Sequence, residues 1–139
     1  MSDIEVDILV PNQTRYLSLI GSIGEAIGRE LDRYQGDREA LAYHLNLVLT
    51  EALANAIRHA HCADVHKTVR VEIHVDPDCL CIKVHDQGQG FDLKALPEMP
   101  PDPCFEHGRG LFLIRCLMDE VEYQRGVDGN VLVMKKRLG

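Results

Sequence analysis

Apolar residues in this chain repeat every second position, then every third or fourth, then every second again, and that succession leaves few folds open. Ile4 to Val10 alternates as a short strand and stops at Pro11-Asn12. From Thr14 to about Tyr34, Leu17, Ile20, Ile23, Ile27 and Leu31 recur at helical spacing. Gly21, Gly24 and Gly28 weaken that helix's own propensity, so packing must hold it, and such small residues admit a close neighbouring backbone. Gly36-Asp37 breaks it, and Asp37 is placed to cap a second, Leu- and Ala-rich helix, Arg38 to His61. Thr68 to Val75 and Leu80 to His85 alternate around Asp76-Pro77-Asp78, the pattern of a hairpin. Pro97, Pro100, Pro101 and Pro103 deny Leu93 to Glu106 regular structure and make it a surface loop. A helix opening at Gly108 and Gly110 and running through Met118 follows. A last hairpin pairs Val121 to Gln124 with Val131 to Lys136 across Asp128-Gly129-Asn130. Hairpins outnumber crossovers, so the expected fold is α+β: a two-layer sandwich of a mixed, mostly antiparallel sheet with helices on one face.

At 139 residues the chain reads as a single domain, 1–139, with 45% hydrophobic and 27% charged residues, long enough to bury a core without staples. A net charge of -7 disfavours nonspecific contact with nucleic acid or an anionic membrane and leaves room for a protein partner with a basic face. The opening MSDIEVDILV carries acids where a signal peptide carries bases, and no apolar run is long enough to span a bilayer. An odd count of five cysteines fits a reduced, cytoplasmic protein. Cys79 and Cys81 alternate on one strand and are expected to be small buried hydrophobes, whereas Cys104 falls in the Pro-rich loop. His59, His61, Cys62 and His66 cluster without the paired ligand spacing of a zinc site.

Three segments carry candidate chemistry. On the long helix, Glu51, Asn55 and Arg58 fall within roughly 60° of arc, with Glu51 and Asn55 one turn apart. A carboxylate beside a neutral amide oxygen suits a hard cation such as Mg²⁺; alternatively, the carboxylate can accept a proton from an incoming hydroxyl. An isolated pair of this kind is most often a solvated helix face, but Ala52, Ala54 and Ala56 around this one pack closely. Next, the strand ending at His85 delivers Asp86 into a turn with Gly88 and Gly90. The glycines permit close backbone approach, and a fixed carboxylate can accept a hydrogen bond from an adenine-type amine. The acid precedes the glycines and no helix follows at once, unlike a dinucleotide-binding turn. Finally, Gly108-Arg109-Gly110 precedes the apolar helix starting at Leu111. Free N–H groups there would favour an anion, or the glycines simply allow a sharp entry into the helix.

In this order, EALANAIRHA, DQGQGFD and GRGLFLIRCLMDEV resemble the N box and the two glycine boxes of the GHKL ATPase superfamily. With VPNQTRYLSLIGSIGEAI at the start, the chain resembles, within that superfamily, the anti-sigma-factor serine/threonine-protein kinase family, the RsbW and SpoIIAB type. The resemblance covers nearly the whole chain and implies a Bergerat ATP-binding fold. It implies Mg²⁺ held by Asn55 and Glu51 as general base toward a protein serine. Asp86 would bind the adenine amine in a pocket shaped by Gly88 and Gly90. Gly108, Arg109, Gly110 and Leu111 would lie along the phosphates, with residues 93–107 as an ATP lid. Arg58 and His59 match further nucleotide-contacting positions. The implied biology is partner switching: a cytoplasmic homodimer binds ATP, sequesters a sigma factor or other client, and phosphorylates a serine of a STAS-domain anti-anti-sigma protein. An ATP-gated binding module without kinase activity, or a histidine-kinase-type ATPase domain acting in trans, would use the same motifs.

Overall fold

The computed structural model describes residues 4–32, 34–59, 68–86, 106–126 and 129–139, with the backbone alone at 59 and 106–109. The first strand, β1 (Ile4–Pro11), leads through a 3-10 turn (Thr14–Tyr16) into α1 (Leu17–Glu30) and α2 (Arg38–His59). The hairpin β2 (Thr68–Val75) and β3 (Cys79–Asp86) follows, then α3 (Glu106–Leu117), β4 (Glu120–Gly126) and β5 (Gly129–Arg137). The sheet order is β1-β2-β3-β5-β4.

Every pairing among the described strands is antiparallel, where the sequence left room for a mixed sheet. Among the described residues, two helices lie between β1 and β2, and β2 runs back beside β1; one helix lies between β3 and β4, which run parallel, and β5 inserts between them and pairs antiparallel with both. The result is a two-layer α+β sandwich.

Local chemistry sets the boundaries. Asp37 caps α2 as its sequence suggests: Oδ1 accepts the N–H groups of Glu39 at 2.9 Å and Ala40 at 3.4 Å. Such a cap contributes about 1 kcal/mol. Asp76 closes the β2–β3 hairpin in the same way, accepting from the N–H groups of Asp78 and Cys79. The first helix is shorter than its periodicity: residues 14–16 wind as 3-10 and α1 stops at Glu30.

One face of the sheet is apolar. Val69, Val71, Ile73 and Val75 of β2, Leu80, Ile82 and Val84 of β3, and Leu132 and Met134 of β5 are buried with Ile20, Ile27, Leu45, Leu49, Leu53, Ile57 and Ile114 from the helices. The opposite face carries charge. Arg70 makes a bidentate pair with Asp7 at 2.9 and 2.7 Å, and His85 Nε2 lies 2.7 Å from Glu72. Arg70 holds the Asp7 carboxyl below its ordinary range, and the His85 hydrogen bond does the same for Glu72. Cys79 and Cys81 do share a face, but it is this open one, where they are half-buried. Period-two alternation gives the core positions to Leu80 and Ile82 instead. Partial burial raises both thiols above their ordinary range. Cys62, Cys104, His61 and His66 lie outside the described residues. Among the described residues, no helix is long and apolar enough to cross a membrane.

The glycines of α1 serve close packing, as expected. A Cβ on Gly28 would stand 2.7 Å from Ala42 Cα and 3.0 Å from Ala42 N, both backbone atoms of α2. Gly21 faces Asn46 and Thr50, and Gly24 faces Leu45 and Leu49. Gly28→Ala should therefore destabilise the fold by about 1–2 kcal/mol, because forced separation of α1 and α2 outweighs the helix propensity gained. Urea unfolding measures this; a gain in stability would show that the two backbones are not in close approach.

A candidate nucleotide site between two helices and a strand end

Glu51 and Asn55 lie one turn apart in the second half of α2, where Ala52, Leu53, Ala56 and Ile57 are all buried in the core. That apolar stripe fixes the rotation of α2 and leaves Glu51 and Asn55 at its margin, facing the start of α3. Asn55 is only 2% exposed.

Gly110 explains how α3 comes so near. A Cβ built on it would fall 2.6 Å from Glu51 Oε2 and 3.5 Å from Asn55 Nδ2. The carboxylate thus occupies space that any other residue at 110 would claim, and the amide lies at van der Waals distance beside it. This differs from the turn the sequence suggested. α3 begins at Glu106, so Gly108 and Gly110 lie inside its first turns, and the last two residues of the expected lid, 106 and 107, are already helical. Gly110 sits within the helix and leaves the room that Glu51 Oε2 takes, so it marks no bend.

On its other side Asn55 Oδ1 accepts a hydrogen bond from Arg58 Nη2 at 2.5 Å. A guanidinium only donates, so the contact fixes the amide's orientation: oxygen toward Arg58, nitrogen toward Gly110 and Glu51.

Asp86 belongs to a second polar pair. It continues the inward series Leu80, Ile82, Val84 at the end of β3 and is 4% exposed on the helix-covered face. Its register partner on β5 is Asn130, also 4% exposed, whose Nδ2 donates to Asp86 Oδ1 at 2.9 Å. Asn130 escaped notice in the sequence, where it reads as part of a turn. The signal was present: it continues the inward series of Leu132 and Met134 on β5, as Asp86 does on β3. Two polar residues at inward positions on adjacent strand ends mark a place where the core gives way to something polar.

Among the remaining candidates, the Leu111 side chain is a core residue, 3% exposed, which leaves only its backbone to face a ligand. Gly108 is in the first turn of α3. Gly88 and Gly90, residues 93–105, and the side chains of His59 and Arg109 lie outside the described residues. Among the described residues no group of three or more His, Cys, Asp or Glu side chains could hold a metal by itself. The oxygen donors here are the Glu51 carboxylate and the second lone pair of Asn55 Oδ1, whose other side faces Arg58, and so small a donor set suits only a cation that completes its shell with water and ligand oxygens, the habit of Mg²⁺.

Residues 13–136 match the histidine kinase-like ATPase domain family. The chain is 34% identical to the serine-protein kinase RsbW of Bacillus licheniformis over 136 residues, 92% of this chain and 81% of that protein. It is 31% identical to the RsbW of Halalkalibacterium halodurans, covering 96% and 83% of the two chains. The RsbW of Bacillus subtilis is 28% identical, with 96% and 85% covered. Among solved structures, the histidine kinase domain of the blue-light activated histidine kinase EL346 from Erythrobacter litoralis superposes with a TM-score of 0.53 at 22% identity. That match spans 93% of this chain and 62% of the longer one, and it speaks for the fold alone. A carboxylate beside a buried amide on α2, a glycine of α3 laid against them and an inward acid at the end of β3 stand in a chain whose family match and relatives establish that it belongs to the histidine kinase-like ATPase domain family, with the RsbW-like serine-protein kinases.

Proposed function

We propose that this chain is an ATP- and Mg²⁺-dependent protein serine kinase. It sequesters a client, a sigma factor or similar protein, and phosphorylates a serine on a STAS-domain antagonist. The observation that carries the proposal is the seating of the Glu51 carboxylate and the Asn55 amide against Gly110, at the junction of α2 and α3. Binding alone does not need a carboxylate held beside a metal ligand; transfer to a hydroxyl does.

In this reading Asp86, oriented by Asn130, accepts a hydrogen bond from the adenine amine. Asn55 Oδ1 would offer a neutral ligand to Mg²⁺, and the bound ion would supply charge neutralisation at the phosphate oxygens. Glu51 receives the proton of the serine hydroxyl as the Oγ–P bond forms and the bond from the γ-phosphorus to the ADP oxygen breaks. The charge left on the serine then weakens the antagonist's docking. The family reading carries with it a cytoplasmic homodimer.

Asp86→Asn should weaken ATP binding by roughly tenfold and blunt the preference for ATP over GTP, since an amide can donate as well as accept. Isothermal titration with both nucleotides checks this, and equal ATP affinity in the two proteins would remove the assigned contact. The function itself is tested with γ-labelled ATP, Mg²⁺ and candidate STAS proteins. Label on a serine of the partner supports the kinase. ATP-dependent capture without label would make it a binding module, and label on a histidine would make it a histidine kinase domain acting in trans.

A further inference from the structure

At the end of the sheet away from Asp86, the last turn of α1, the β2–β3 turn and the C-terminal residues enclose a cavity of about 200 Å³. Leu31, Val75 and Leu138 line it, and all three are buried. Backbone hydrogen bonds tie its sides together. Gln35 N–H donates to the Leu138 carbonyl at 3.2 Å, and Leu138 N–H donates to the Asp78 carbonyl at 2.9 Å. The Tyr34 ring, also part of the lining, lies over Gly36, where a Cβ would fall 2.9 Å from it. The cavity is thus shaped by fixed neighbours. Its charge is of one sign: Glu30, Asp32 and Asp76 stand at it exposed, and among the described residues no Lys, Arg or His side chain lines it. Asp32 is matched by Arg38 at 2.6 Å, and Asp76 gives Oδ1 to two turn N–H groups. Glu30 makes no ion pair among the described residues. It is also the last residue of α1, where the helix dipole favours a cation.

We propose that this cavity is a docking point for one arginine side chain presented by a protein partner. Its volume falls below the roughly 300–1,000 Å³ of pockets that hold drug-sized ligands, so it suits a single side chain. Arginine matches both halves of the lining. Its aliphatic stem can cover the apolar surface of Leu31, Val75 and Leu138 while the guanidinium stays in water beside Glu30 and Asp76. An acidic side chain would meet like charge, and an apolar one would leave the Glu30 carboxylate without a counter-ion. The net charge of -7 draws a basic surface toward the molecule from a distance. This inference does not rest on the kinase reading. The cavity shares no residue with the nucleotide site and lies at the opposite end of the sheet, so a partner held here leaves that site open.

The probe is the capped peptide acetyl-Gly-Arg-Gly-amide, titrated into the full chain and followed by amide proton–nitrogen spectra. The backbone signals of Leu31, Asp32 and Val75 should shift and saturate with a Kd on the order of 10 mM. The same peptide with citrulline, which keeps the shape and loses the charge, should bind about fivefold more weakly. Glu30→Lys, a charge reversal at an exposed position, should weaken the arginine peptide by roughly tenfold. Equal binding of the two peptides, no saturable shift at these residues, or indifference to Glu30→Lys overturns the proposal. If Glu30→Lys does not fold, the two peptides on the parent protein decide. Tighter binding of free L-arginine than of the peptide would make this a small-molecule site and equally overturn it. Arg33, beside Asp32 in the sequence, lies outside the described residues. If the peptide binds only after Arg33→Ala, the chain fills its own cavity and the proposal falls.

Discussion

Replacing Glu51 with Gln should lower phosphoryl transfer to a partner serine by about 10²–10⁴-fold while leaving ATP affinity within a factor of two or so. The substitution keeps shape and hydrogen-bonding reach but removes the ability to take a proton. In the proposed roles, Asn55 and Asp86 remain in place to hold metal and adenine, so binding and transfer should separate. Single-turnover transfer and equilibrium nucleotide binding, measured on the same preparation, make the comparison. Transfer at the parental rate would show that the hydroxyl proton leaves by another route, and an equal loss of binding would make Glu51 a ligand instead of a base.

Gly110→Ala should reduce transfer by on the order of 10²-fold with little loss of fold stability, a combination that follows from which atom it meets. Its new Cβ would stand 2.6 Å from Glu51 Oε2, the far end of a flexible side chain. The carboxylate can swing away where a backbone could not, so the helices stay docked and only the proposed base is displaced. Gly28→Ala is the opposite case, because its Cβ meets the backbone of Ala42 and the helices themselves must part. The decisive measurement is a double-mutant cycle. In a Glu51→Gln background, Gly110→Ala should cost almost nothing further, since there is no base left to misplace. Full additivity of the two losses would mean that Gly110 acts on the site by some path other than Glu51.

Much of this protein is legible from residue spacing. The alternation of Val69, Val71, Ile73 and Val75, the stripe of Leu45, Leu49, Leu53 and Ile57 and the Asp37 cap each report a segment's own burial or termination. For that reason the order and type of elements are available to anyone who reads periodicity. The motifs that resemble the ATPase boxes are legible too, because their residues lie close together in sequence. The misread features involve partners far away in the chain. Gly110 looks like a turn glycine until Glu51 is seen in the space its side chain would need. Asn130 looks like a hairpin residue until β5 pairs with β3 and sets it opposite Asp86. The Cys79 and Cys81 face cannot be named from alternation alone, since alternation separates two faces without saying which one the helices cover.

The physical reason is the range over which each force is felt. Hydrophobic period, helix capping and turn chemistry act within a few residues, so the sequence carries them openly and they specify strands, helices and the α+β class. The meeting of Glu51 with Gly110, and of Asp86 with Asn130, depends on how far α3 slides along α2 and on the register between β3 and β5. Those are settled by packing of the whole core, where a shift of one strand residue would turn Asp86 from the buried face to the open one.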